Sequence, residues 1–308
     1  MYELRRVLVP TDFSSHAEAA LRFAVIMGSS YHAEITLFHV DEYPVSPLGA
    51  MEVQGAEIAS FRRKTRQEIE ARLDVLRKAF SDRPVSFRAQ IREGRAYKVI
   101  VEESERQEYD LIVMATRGHT SLSTSLIGST AERVVRLSRQ PVLSIQEAPR
   151  HDGKVSSILC PTDLSPSGNV ALSYALSIAR QNGALLHIQY ISELEHPEPE
   201  VEIRKRLPNL QDHHPQAASV HVEWVFDRDV EPSNSIIRFA DDRDVGLIVM
   251  STHGRKGLRR VYIGNNTAEV VRQSTRPVLT VTHPFHRRIF SRPVTQYTES
   301  PLHSTGGE

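Results

Sequence analysis

The stretch RRVLVPTDFS at residues 5–14 returns as SSILCPTDLS at 156–165, and that return decides how the whole chain is organised. Three further blocks recur in the same order. AALRFAVIMGSSYHAEITLFHV (19–40) returns as VALSYALSIARQNGALLHIQYI (170–191), YDLIVMATRG (109–118) as VGLIVMSTHG (245–254), and IGSTAERVVRLSRQPVLSI (127–145) as IGNNTAEVVRQSTRPVLTV (263–281). Asp163 lies 151 residues after Asp12, whereas Gly254 lies only 136 after Gly118, so the second copy is 15 residues shorter in its middle. Self-similarity on this scale marks one structural unit used twice. In a chain of 308 residues each copy is long enough to bury its own core.

Within a copy, short runs rich in β-branched residues alternate with amphipathic stretches. VLVP (7–10), ITLFHV (35–40), VSFRAQI (85–91), LIVMA (111–115) and PVLSI (141–145) read as strands. The first, fourth and fifth are nearly continuous apolar runs, the pattern of parallel strands covered on both faces. Helical patterning spans 14–29, about 54–80, 96–107 and 129–138. The βαβ alternation predicts α/β architecture: two tandem doubly wound, Rossmann-like domains, each a parallel sheet with right-handed crossovers and helices on both faces. We expect one domain over 1–148, a linker at 147–154, a second domain over 155–283 and a disordered tail over 284–308. Pro197, Pro199 and Pro208 should shorten or break the middle helix of the second copy.

The chemistry should sit at strand ends. In an open doubly wound sheet, ligands bind beyond the carboxyl ends of strands, where the strand order reverses. Two repeated blocks fall at such ends: Pro10-Thr11-Asp12 after the first strand, and the segment from Ala115 and Arg117 through Gly118 to Gly128, Ser129 and Thr130 after the fourth. If those strands are neighbours, the two loops face one another across a crevice. Gly118 would let main chain approach a phosphate with no Cβ in the way. Gly128 opens a helix, where N–H groups and the positive dipole end suit an anion. The same residues also fit plain turn and cap duty: Ser129 with Glu132 matches a capping box, and Asp12 matches an N-cap or Asx-turn residue.

These motifs resemble those of the universal stress protein family in its tandem form. ATP-binding members carry G-x2-G-x9-G-(S/T), with Pro-x-Asp after the first strand. Copy one is similar at Gly118, Gly128 and Ser129, with Ala115 at the first glycine; copy two at Gly254 and Gly264, with Ser251 at the first glycine and Asn265 for Ser/Thr. The resemblance covers about 3–146 and 155–282. It implies five-stranded sheets of order 3-2-1-4-5, paired edge to edge through their fifth strands within the chain, with whole-chain homodimers a further option. It implies an ATP-binding regulatory module of the stress response that alters contacts with a protein partner. Asp12 and Asp163, each in its Pro-Thr-Asp block (Pro10, Thr11; Pro161, Thr162), would bond the nucleoside, and Val40 and Ile191 would offer main chain to adenine. Gly118, Gly128, Ser129 and Thr130 would hold ribose and phosphates, with Mg2+ or without, as would Gly254, Gly264, Asn265 and Asn266. Arg117 and His253, beside the second glycines, would touch phosphate or face solvent.

Other classes find less support. The chain lacks a G-x4-G-K-[ST] loop and a kinase signature set, so dedicated catalysis is not expected, and slow ATP hydrolysis or phosphotransfer is the alternative. A nucleotide-free scaffold is the third reading, opposed for copy one by its retained glycines. With 38 basic and 38 acidic residues, no global field recruits nucleic acid or an anionic membrane. No stretch approaches the roughly 20 apolar residues of a membrane helix, and MYELRRVLVPTDFSS lacks a secretory h-region, which leads us to expect the cytoplasm. Cys160, the single cysteine, reads as a buried strand residue, and His213-His214 has no metal-ligand spacing. Arg255, Lys256, Arg259 and Arg260 make a basic loop in copy two that is either a phosphate-attracting rim or a solvated face.

Overall fold

The computed structural model describes residues 4–42, 55–118, 127–147, 155–192, 199–206, 215–252 and 264–282. The linker after residue 147, the basic loop, His213-His214 and the tail lie outside them. The first unit runs β1 (Arg6–Pro10), α1 (Ser15–Ser29), β2 (Glu34–Asp41), α2 (Gly55–Lys78), β3 (Ser86–Glu93), α3 (Ala96–Arg106), β4 (Leu111–Ala115), α4 (Ser129–Leu137) and β5 (Val142–Ile145). The second runs β6 (Ser157–Thr162), α5 (Pro166–Asn182), β7 (Leu185–Ser192), α6 (Glu200–Arg206), β8 (Val222–Arg228), α7 (Pro232–Asp242), β9 (Leu247–Ser251), α8 (Asn265–Gln273) and β10 (Val278–Val281).

Ten strands form one sheet of order β3-β2-β1-β4-β5-β10-β9-β6-β7-β8, which is 3-2-1-4-5 joined to its own reverse. Within each unit all pairings are parallel. The junction is antiparallel, with Leu279 opposite Leu143, Val278 opposite Ser144 and Thr280 opposite Val142. The fifth strands therefore pair within one chain, as the resemblance implies. The shortened middle of copy two is equally plain: α2 has 24 residues, whereas α6 has 7 and begins directly after Pro199. A short 3-10 turn, Pro215–Ser219, then leads to β8.

The apolar pattern sorts into three cores. On one face α1, α2 and α5 cover a core that runs uninterrupted across the junction, from Val7, Phe23, Ile35 and Leu143 to Leu279, Val281, Leu176 and Ile188. On the other face each unit keeps its own core. Ile112 of β4 packs with Ile100 of α3 and Val134 and Val135 of α4, and Ile248 of β9 with Ile236 of α7 and Val270 and Val271 of α8. Ile127, just ahead of α4, packs against both of these. Cys160 is fully buried in the shared core, and burial pushes its thiol up to about 12, so it has almost no thiolate at neutral pH. Among the described residues no helix is long and apolar enough to cross a membrane.

Leu143 and Leu279 are both within 1% of complete burial, so the junction is core rather than surface. Truncating either to alanine should cost about 2–5 kcal/mol. Leu143→Lys with Leu279→Lys would place two ammonium groups in that core, and should separate the units or drive aggregation. Unchanged small-angle scattering and melting temperature in the double variant would refute the dependence on this pairing.

Candidate functional site

β1 ends at Pro10, and the next four residues fold into a tight turn held by their own side chains. Thr11 N–H donates to the Phe38 carbonyl (2.9 Å), and Phe13 N–H donates to Thr11 Oγ1 (3.0 Å). Asp12 Oδ1 accepts from Ser14 N–H (3.0 Å), and Ser14 Oγ accepts from Ala17 N–H (3.1 Å). Asp12 is thus an Asx-turn residue, and Ser14 rather than Asp12 caps α1. The turn forces Phe13 to φ 65°, a left-handed conformation unusual for a bulky residue. Copy two repeats the three side-chain bonds: Leu164 N–H to Thr162 Oγ1 (3.0 Å), Ser165 N–H to Asp163 Oδ1 (3.0 Å) and Gly168 N–H to Ser165 Oγ (3.1 Å), with Leu164 at φ 59°.

One oxygen of Asp12 serves this turn, and the other is aimed across the crevice. A Cβ built on Gly118 would lie 2.5 Å from Asp12 Oδ2 and 3.5 Å from its Cγ. The Pro-Thr-Asp loop and the glycine loop therefore face one another at van der Waals distance, with the missing Cβ as the space between them. The constraint on Gly118 is steric rather than conformational, because the positive-φ glycines among the described residues are Gly94 and Gly183.

The glycine loop returns to its own start. Thr116 N–H donates to the Ile145 carbonyl (2.9 Å), fixing the end of β4 against β5, and Gly128 N–H donates to the Thr116 carbonyl (2.6 Å). Gly128 is the N-cap of α4, and no side chain caps that helix. The capping-box alternative for Ser129 and Glu132 does not hold: Ser129 is already the first helical residue, one position past the cap. Ser129 and Thr130 thus present main-chain N–H groups at the positive end of the helix dipole, beside Gly118 and Asp12. In copy two Thr252 N–H donates to the Val281 carbonyl (2.9 Å) and Gly264 N–H to the Thr252 carbonyl (2.7 Å). Gly264 is again a cap without a side-chain partner, with Asn265 and Asn266 opening α8. There Thr267 Oγ1 also donates to the Ser251 carbonyl (2.9 Å). A Cβ would stand 3.2 Å from the Thr116 carbonyl oxygen at Gly128 but 3.5 Å from the Thr252 carbonyl oxygen at Gly264, so the first site is the tighter.

Val40 and Ile191 are half-buried and pack against the cores beneath α3 and α7. The β1–β2 ladder stops at Pro10 opposite Phe38, while the β2–β3 ladder continues through Val40 to Asp41. Phe38 turns its carbonyl toward β1 and Asp41 turns its own toward Gly94 beyond β3, so by alternation Val40 directs N–H and C=O past the end of β1. The β6–β7 ladder stops at Tyr190, and Ile191 lies just beyond it.

The structure thus brings Asp12 to Gly118 and Gly128 to Thr116 at the ends of β1 and β4, with Ser129 and Thr130 opening α4, Val40 near the end of β2, Ala115 at the end of β4 and Arg117 half-buried. In copy two Pro161, Thr162, Asp163, Ile191, Ser251, Gly264, Asn265 and Asn266 occupy the corresponding places, while His253 and Gly254 lie outside the described residues. Sequence reasoning passed over Thr116 and Thr252, whose carbonyls seat the two capping glycines. Their recurrence in ATRG and STHG was the available signal.

The family model described as the universal stress protein family matches residues 3–146 and again 154–282. A universal stress protein of Mycolicibacterium smegmatis is 24% identical over 295 residues, spanning 89% of this chain and 96% of its own. One from Methanocaldococcus jannaschii is 31% identical over 144 residues, 46% of this chain and 82% of its own. The crystal structure of a universal stress protein from Archaeoglobus fulgidus superposes with a TM-score of 0.72 at 20% identity, covering 92% of this chain and 98% of that one, a likeness of fold. With two matches that together span nearly all of its length, the chain belongs to the universal stress protein family, in the two-domain tandem form.

Proposed function

We propose that this protein binds ATP in its two crevices, with Mg2+ or without, and acts as a nucleotide-dependent regulatory module of the stress response. The carrying observation is the meeting of Asp12 with Gly118 beside the uncapped start of α4. A nucleoside triphosphate needs three things together: an acceptor for a hydroxyl, main chain that can pair with a base edge, and N–H donors for phosphate. Asp12, the Val40 main chain and the first turn of α4 are of those kinds. Asp12 Oδ2 would accept from a ribose hydroxyl, and the N–H groups of Ser129 and Thr130 would donate to phosphate oxygens. The protein partner that reads the bound state, a cytoplasmic location and homodimers of whole chains belong to the same proposal.

The direct test is chromatography of nucleotide released by denaturing protein purified without added ATP. Adenine nucleotide at up to two per chain is expected. Its absence, together with no heat on titration with ATP, would overturn the reading.

Gly118→Val should abolish binding at the first crevice with little loss of stability. Its side chain would displace the Asp12 carboxylate and fill the phosphate approach, yet the obstructing atom is the end of a flexible side chain rather than backbone. Circular dichroism together with calorimetry checks this. A collapse of helical signal along with binding would make Gly118 a structural residue instead.

The first crevice should bind more tightly than the second, by about fivefold to tenfold, the worth of one hydrogen bond of about 1 kcal/mol. Ser129 adds a compact hydroxyl donor at the helix start where Asn265 offers an amide on a longer arm. Titrating full-length Gly254→Val, which keeps the first site, against Gly118→Val, which keeps the second, measures the ranking. Equal affinities, or the reverse order, would sink it.

A further inference from the structure

Each crevice is anchored to the other by a closed ring of hydrogen bonds that runs through α4 and α8. From the first crevice, Gly128 N–H bonds the Thr116 carbonyl and Thr116 N–H bonds the Ile145 carbonyl. The next residue, Gln146, crosses the junction: its Nε2 donates to the Arg272 carbonyl near the end of α8 (3.2 Å). Helix α8 leads back to Gly264, which bonds the Thr252 carbonyl, and Thr252 N–H bonds the Val281 carbonyl. Thr282, the next residue, returns across the junction: its Oγ1 donates to the Ser138 carbonyl at the end of α4 (3.3 Å) and lies 3.5 Å from Thr252 Oγ1. Helix α4 then closes the ring at Gly128.

The geometry of the sheet makes this ring a connection between sites. Because β5 and β10 run antiparallel, α4 starts at the first crevice and ends at the edge of the sheet where the second crevice opens. Helix α8 does the reverse. Nine residues of helix span about 13 Å as a stiff rod. Such a rod moves as a body, so a displacement at Gly128 arrives at Ser138, where Thr282, itself in reach of Thr252, meets it. Ile127 reinforces the link by packing against the separate cores of both units.

We propose that occupancy of one crevice raises the affinity of the other, through this ring of main-chain anchors and the two junction side chains Gln146 and Thr282. A first ligand that fixes the start of α4 also fixes the ring, so the second meets an α8 already ordered. By linkage the effect is reciprocal, and it need not exceed about fivefold. The ligand clause rests on the nucleotide reading above, while the mechanical coupling does not.

Two arms on the full chain separate them. In the first, without ligand, Gly128→Ala or the larger Gly128→Val presses the start of α4 against the Thr116 carbonyl, and amide exchange is followed at Gly264 N–H. The Gly264 rate should change by about fivefold, and the change should vanish when Gln146→Leu and Thr282→Val are added. A Gly264 amide indifferent to Gly128 overturns the proposal. In the second arm ATP is titrated into the wild-type chain and into Gln146→Leu/Thr282→Val, neither residue being placed in a crevice. Wild type should take its second equivalent about fivefold more tightly than the matching single-site variant does, and the cut chain should lose that gain. An unchanged isotherm in the cut chain overturns the proposal. If no form binds adenine nucleotide, the functional reading fails, and the amide arm alone decides the coupling.

Discussion

The antiparallel meeting of β5 and β10 is the constraint from which the rest of the molecule takes its shape. A four-residue apolar strand at the end of a sheet is an open row of donors and acceptors, prone to pair with whatever arrives. Here each such edge satisfies the other inside one chain, and Leu143 and Leu279 join the two units into one buried layer beneath α1 and α5. That layer makes the chain more than two beads on a string, since separating the units would bare apolar surface that neither could cover alone. The outer strands left at the sheet margins, β3 and β8, are half-exposed and carry charges such as Arg88 and Glu223, which discourage further pairing.

Among the described residues, what meets at the strand ends is mostly main chain. Asp12 and Asp163 supply carboxylates, but the capping glycines, the seats at Thr116 and Thr252 and the strand ends at Val40 and Ile191 act through backbone atoms. A site of this kind tolerates side-chain drift so long as nothing bulky enters it. Ala115 and Ser251 stand where the resemblance implies glycine; both are small, and both close their strands with the backbone still in register. The room at Gly128 and Gly264 is unequal. The carbonyl behind Gly128 leaves no space for a methyl group without a shift, whereas the one behind Gly264 does.

Much of this was legible in the sequence because it was written twice. The continuous apolar runs at LIVMA and LIVMS, and the repeated PTD and glycine blocks, identify strands and strand ends without reference to tertiary structure. The start of α6 directly after Pro199 agrees with proline chemistry, while Pro197 and Pro208 lie outside the described residues. What escaped was whatever depends on the exact offset of a cap or on two loops meeting. Ser129 and Glu132 satisfy a capping-box pattern, yet the helix starts one residue too early for it, because the Gly128 amide is already bound by Thr116. Gly118 reads as a phosphate-approach or turn glycine, but what a Cβ there would meet is the carboxylate of a residue 106 positions earlier in the chain. The bonds of Gln146 and Thr282 across the junction had no local signature at all.

The reversal of direction at the junction has one more result. Strands of the first unit end at one margin of the molecule and strands of the second at the opposite margin, so the two clefts open back to back. A protein that recognises the lip of one cleft leaves the other uncovered. Whatever were to seat at one cleft would stand clear of the other, so occupants of the two ends would not compete for space.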